Sequence, residues 1–367
     1  MQSKAPPRET DRQPDGQSQE TRPRRGLRFW IWRGLVWSLI TLLALAVAGA
    51  TYQAIATQID QHSASPAPGQ MVSVGNHQLH LNCVGKGSPT VILEAGWAFT
   101  SLEWSTYVQP YVAKQTRVCS YDRAGLAWSE LGPGSKDATQ VTRELHSLLD
   151  KVRIEGPYVL VGHSLGGLYA RVYADRYPED VAGMVLVQSM HPDQFERIGM
   201  ESALKMNHRT GVIGAPLARM GVVRLMGLFP PSSDLPPHQR KQADSLYYQT
   251  SHQVAEFGEL GAMPEVMTQV RQTGALGEKP LAVVSGGSAG GEQADALADS
   301  KSKAVRIERE VPAMQEELTH LSSNSTQRVI QGAADDSLVL KRSYAQQTSQ
   351  EIVRVVEAVR TDQPLSR

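Results

Sequence analysis

A short apolar run, Tyr158 to Val161, leads directly into GHSLGG at Gly162 to Gly167, and few folds accommodate that junction. Val159, Leu160 and Val161 read as a buried strand, and Leu168, Tyr169, Val172, Tyr173 and Tyr177 then recur at helical spacing until Pro178. Ser164 therefore falls on a tight strand-to-helix turn, where Gly162 and Gly166 let the two elements approach closely. An alcohol held there is a nucleophile candidate. A G-x-S-x-G pattern is short, so its setting carries the reading. A glycine-rich anion loop of the dinucleotide-binding type competes, but G-x-G-x-x-G is absent and the unit lies mid-chain.

The first 70 residues form a separate story. Residues 1–33 read as a disordered basic cytoplasmic tail, polar and Gln- and Pro-rich through Thr21, with Arg22, Arg24, Arg25, Arg28 and Arg33 at its end. The uncharged run 34–55 follows. As a helix it would span about 33 Å, enough for a hydrocarbon core of about 30 Å. Trp30, Trp32 and Trp37 mark its arginine end and Tyr52 the other, as interfacial anchors do. This predicts a single-pass transmembrane signal-anchor with the N-terminus cytoplasmic and the body extracytoplasmic. Ala46, Ala48 and Ala50 keep a cleaved signal peptide, and so a secreted product, as the alternative. Residues 56–70 read as a stalk.

From Met71 onward, short β-rich runs alternate with helical stretches, which argues for an α/β sheet. The strands expected are 71–74, 79–84, 90–94, 117–121, 158–161, 183–188, 281–285 and 327–331. The notable helices are 139–152, 316–322 and 349–359. With 37 basic and 37 acidic residues the formal charge is zero, so no nucleic-acid partner is expected. No internal repeat or metal-ligand cluster stands out, two cysteines cannot make a zinc site alone, and no cofactor is implied.

LEAGW at Leu93 to Trp97, SYDRAG at Ser120 to Gly125, VGHSLGG at the turn and RYPEDVAGMVLV at Arg176 to Val187 occur in that order. Through these pieces the stretch from Met71 to about Val359 resembles the α/β-hydrolase superfamily. The resemblance implies an eight-stranded, mostly parallel sheet with its second strand antiparallel, in a domain covering 71–367. It also implies a helical lid at about 192–278, whose Met, Leu, Gly and Pro content suits a small apolar or acyl substrate. Ser164 would attack an acyl carbonyl, and the oxyanion would sit between the backbone N–H of Leu165 and one near Trp97. A serine at this turn disfavours epoxide opening and halide displacement, leaving ester, thioester, lactone or amide cleavage and acyl transfer.

The chain departs from the family pattern at two of three triad positions. Gln188 stands where relatives commonly carry aspartate after the sixth strand, and after the seventh no carboxylate occurs until Glu292 and Asp295. The loop after the last strand reads QGAADDSL, with Asp335 where the base is expected and Asp336 beside it. Both aspartates are expected to solvate that loop. A serine without a base is a poor nucleophile near neutral pH. His163 adjoins Ser164, but the turn directs neighbouring side chains apart, and His62, His77, His80, His146 and His320 read as surface or structural residues. His208, His238 and His252 could hang from the lid. His191, with Asp193 beside it, is the leading candidate for a relocated base.

The family's sheet order makes the strands of Cys83 and Cys119 neighbours, so an exported body could join them in a disulfide, two buried thiols being the alternative. Two functions from different classes follow: a membrane-anchored serine hydrolase with an irregular base, or a catalytically silent binding protein that uses the lid cleft.

Overall fold

The computed structural model describes residues 26–287 and 301–365. Contacts divide the chain into two compact units, Met1–Val47 and Ala48–Arg367. The described part of the first is apolar helix. Helix α1 covers Leu27–Ser63 and is long and apolar enough to cross a membrane. The expected span 34–55 lies inside it, but residues 56–63, read above as stalk, are helical too. Gln53, Thr57 and Asp60 turn toward the body, and their hydrogen bonds there hold the added turns in place. Most of the expected cytoplasmic tail, residues 1–25, lies outside the described residues.

The sheet has eight strands: β1 Gln70–Val74, β2 His77–Val84, β3 Val91–Glu94, β4 Val118–Tyr121, β5 Tyr158–His163, β6 Val181–Val187, β7 Leu281–Gly286 and β8 Ser325–Ile330. Their spatial order is β1-β2-β4-β3-β5-β6-β7-β8, with β2 antiparallel to both neighbours and the remainder parallel. The central strands are apolar at consecutive positions because both faces are covered. Val91, Leu93, Val159, Val161, Val185 and Val284 enter one core, while Ile92, Leu160, Met184, Leu186 and Val283 enter the other. That alternation is the two-residue period of a strand.

Helix α4, Ala138–Lys151, is started by Asp137, whose carboxylate accepts from the Gln140 N–H at 3.0 Å. The expected helix 316–322 is the tail of a longer one, Lys301–Thr319, whose first turns are too polar to show an apolar stripe. The last helix begins at Arg342, earlier than expected, and runs to Thr361. Between β6 and β7 lie the lid helices α6 Gln194–Arg197, α7 Glu201–Arg219, α8 Val222–Leu225, α9 Pro237–Tyr247 and α10 Thr250–Arg271.

Cys83 and Cys119 are register partners on β2 and β4 and are joined by a disulfide, with Cα atoms 4.0 Å apart. The bond closes a loop of 36 residues in sequence separation. Chain-entropy arguments give such a closure about 3–4 kcal/mol. Cys83→Ser with Cys119→Ser should therefore lower stability by about that amount in urea unfolding; intact mass before and after alkylation of non-reduced protein should show no free thiol.

Candidate active site

Strand β5 ends at His163, and helix α5, Leu165–Arg176, begins one residue beyond Ser164. Ser164 itself has φ 51° and ψ −117°, a conformation that costs a non-glycine residue about 1–3 kcal/mol. Its N–H donates to the Val187 carbonyl at the end of β6, and its carbonyl accepts from Met190 N–H, both at 3.1 Å. The turn is thus pinned to the next strand. A Cβ at Gly166 would collide with the Glu94 carbonyl, so only glycine lets α5 seat against β3. A Cβ at Gly96 would lie 3.2 Å from Ser164 Cβ, which puts the loop after β3 directly against the serine. Leu165 is the first residue of α5, so its N–H has no intrahelical acceptor.

Buried Arg123 fixes that loop. Its guanidinium donates to the carbonyls of Ala95 at 2.6 Å and Gly96 at 2.9 Å. The same group bonds Glu94 at 2.8 Å and, through two parallel contacts of 2.6 and 3.0 Å, Glu259 of α10. Burial pushes the Glu94 carboxyl up, against the pull of Arg123 and the Tyr121 hydroxyl that donates to it. Trp97, the next residue along the loop, donates from its indole to the Glu256 carbonyl at 3.3 Å and meets Phe229 edge-on at 5.7 Å. The loop after β3 is therefore fastened to one turn of α10, through Glu256 and, by way of Arg123, Glu259.

No hydrogen bond reaches Ser164 Oγ among the described residues. The His163 ring is fully buried beside Phe99, 5.1 Å between centroids, and its Nε2 meets Asp335 Oδ1 at 2.8 Å. Asp335 is thus not a loop-solvating residue, as the sequence had suggested, but the partner of a buried imidazole. Burial opposes protonation of His163, yet the Asp335 carboxylate outweighs it and raises its pKa. His163 Nδ1 has no partner. Burial and the neighbouring Asp335 charge push the Asp336 carboxyl up to about 6.

The remaining candidates are occupied elsewhere. Gln188, with φ 42°, accepts from Gly286 N–H at 2.9 Å and straps the end of β6 to the end of β7. Glu292 and Asp295 lie outside the described residues. His191 Nδ1 accepts from Asp193 N–H at 3.2 Å, Nε2 faces Glu317 at 3.7 Å, and burial lowers its pKa. His252 accepts from Ala127 N–H and is pushed by burial down to about 3, while His208 bonds the Gly261 carbonyl. The His163–Asp335 pair was missed from sequence because the two residues are 172 positions apart. Donor atoms of His163, Asp335 and Asp336 lie within 4.8 Å of one another. Within this group His163 Nε2 and Asp335 Oδ1 already bond each other at 2.8 Å.

A strained serine on a strand-to-helix turn, under a lid, on an eight-stranded sheet with one antiparallel member, defines a class of α/β enzymes and their relatives. Residues 89–211 match the family model of the α/β-hydrolase fold, and the strand order of the whole sheet agrees with that fold. An uncharacterised protein of Schizosaccharomyces pombe is 33% identical over 153 residues, 34% of this chain and 28% of that protein. An uncharacterised vacuolar membrane protein of Saccharomyces cerevisiae is 30% identical over 134 residues, 32% of this chain and 21% of that protein. The matched region thus spans about a quarter of these relatives' length. A thermophilic esterase from Thermogutta terrifontis superposes with TM-score 0.52 at 18% identity, covering 78% of this chain and 99% of that one. An epoxide hydrolase from Bacillus megaterium does so with TM-score 0.56 at 14% identity, covering 78% and 100%.

Asp336 and His163 make stability pH-dependent. Because the Asp336 carboxyl rises from 3.8 to about 6 on folding, its contribution is complete below pH 3.8 and is lost as pH rises through 6. Raised His163 acts in the same direction, its contribution being lost as pH climbs above 6.5. Asp336→Asn keeps the shape without the charge. It should stabilise the protein by about 1–2 kcal/mol at pH 8 and leave it unchanged near pH 4, read as shifts in Tm.

Proposed function

We propose that this chain is a membrane-anchored serine hydrolase that cleaves an ester or related acyl bond, with Ser164 as nucleophile and the Leu165 and Trp97 backbone N–H groups as oxyanion donors. The observation that carries this reading is the unfavourable backbone of Ser164 at φ 51°. A binding surface has no use for that conformation, whereas an attacking hydroxyl needs it to stand clear of the sheet. Ser164 Oγ adds to the acyl carbonyl, the alcohol departs with the hydroxyl proton, and water releases the acid. Without an imidazole on Oγ the rate rests on positioning and the oxyanion site. Those alone leave about 10³ to 10⁴ of acceleration over water.

The second reading, a binding protein that uses the lid cleft, draws support from one fact. The carboxylate in the loop after β8 is bonded to His163, and among the described residues no imidazole hydrogen-bonds Ser164 Oγ. For location we propose a single-pass protein with its N-terminus cytoplasmic and its body exported. The apolar α1, the arginines before it and the Cys83–Cys119 disulfide support this, and the yeast relative is itself a vacuolar membrane protein. Secretion after cleavage predicts a mature chain lacking residues before about 50, which intact mass resolves.

Purified full-length protein in detergent should label slowly with a fluorophosphonate probe and hydrolyse short and medium acyl esters, and Ser164→Ala should abolish both. Wild-type protein that neither labels nor turns over would replace this reading with the binding one. His191→Ala should change the rate less than about threefold, since that ring is held by Asp193 and faces Glu317. A hundredfold loss would instead assign His191 as the base.

A further inference from the structure

The lid carries an uncovered apolar ridge. Val212 and Ile213 on α7 and Leu225 and Met226 at the end of α8 are each 60% or more exposed, and Leu228 continues the ridge. Large apolar side chains grouped in this way mark a surface that meets something other than water. From Ser202 to Ser233 the chain has no carboxylate, while Lys205, Arg209 and Arg219 give it positive charge, Arg224 being paired with Asp60. Apolar and basic groups on one helical surface are the pattern of an element lying in a lipid interface.

The position of this ridge relative to α1 identifies the occupant. Residues 49–60 of α1 pack on the corner between α7 and α8: a Cβ at Gly49 would collide with the Met220 carbonyl, and one at Gly221 would lie 3.2 Å from the Tyr52 ring. Gln53 bonds the Tyr248 carbonyl at 3.0 Å and accepts from Arg224 Nε at 3.1 Å, and Arg224 also pairs with Asp60. Gly49 lies six residues before Ile55, where the apolar run ends, or about 9 Å along the helix axis. A bilayer that holds this run to its end therefore comes level with the corner packed on Gly49. Interfacial elements bury their apolar face about 5–10 Å deep, the same range.

We infer that Val212, Ile213, Leu225 and Met226 sit in the surface of the bilayer that holds α1, so that the lid is a second point of membrane attachment. The ridge runs on toward the candidate site, because Phe229 after Leu228 meets Trp97 edge-on. The lid thus joins the bilayer surface to the loop over Ser164. This inference rests on α1 being a membrane span, as proposed above, and not on Ser164 being catalytic.

The full chain in liposomes of mixed zwitterionic and anionic phospholipid tests it. Both native cysteines are in the disulfide, so single cysteines at 212, 213, 225 and 226 can be labelled selectively with an environment-sensitive fluorophore. Glu155, in the loop before β5 and so at the opposite end of that strand from Ser164, is the aqueous control, and Leu42 within α1 is the membrane control. Headgroup-proximal doxyl lipid should quench the four lid positions at least threefold more than position 155. Quenching at 42 with the four lid positions matching 155 would overturn the inference while leaving the anchor intact. An unquenched label at 42 would overturn the anchor reading and the inference together.

Discussion

The buried guanidinium of Arg123 is the interaction on which the rest of the site depends. One planar group satisfies two carboxylates and two backbone carbonyls, joining β3, the loop before Ser164 and lid helix α10. A charge this deep is tolerable only because every direction of its fork is met. Removing it would strand Glu94 and Glu259 in the interior, a loss of about 3–5 kcal/mol by analogy with broken buried pairs. The Ala95 and Gly96 carbonyls would also lose the guanidinium that they share. The loop after β3 is held both by Arg123 and by its own turn, in which the Phe99 N–H donates to the Gly96 carbonyl.

Around that frame the turn that carries Ser164 is fixed by backbone geometry, and the loops beside it by side-chain hydrogen bonds. Ser164 has an unfavourable backbone, Gly96 and Gly166 allow the close approaches it needs, and β6 pins the turn. Gln188 straps the end of β6 to the end of β7, and Asp335 is the partner of His163. The carboxylate beside the pair adds a charge that the interior resists, which holds Asp336 protonated into mildly acidic conditions.

The C-terminal turns of α1, from residue 48 onward, belong to the same compact unit as the sheet. Its last turns carry Gln53, buried among lid residues, and Asp60, paired with Arg224. A helix that only tethered would have no reason to place a buried amide and an ion pair against the lid. These polar contacts set the rotation of the helix against α7 and α8, because each has one geometry that satisfies it.

The sequence by itself determined the strands, their apolar alternation and the place of the serine. Runs such as Val91 to Leu93 and Val159 to Val161 are dictated by local periodicity and burial, and GHSLGG is a local solution to a local turn. The ordered pieces LEAGW, SYDRAG and VGHSLGG also made the sheet order and the Cys83–Cys119 pairing legible. The helix starting at Lys301 and the helical residues 56–63 were not, because their stability comes from partners distant in sequence. Only the tertiary structure decided what the loop after β8 does. Whether Asp335 meets solvent or the imidazole of His163 depends on how β5 and β8 close across the intervening strands, a distance of 172 residues that no local pattern records. The same holds for Arg123, whose motif announces a charge but not the lid carboxylate 136 residues away that makes its burial possible.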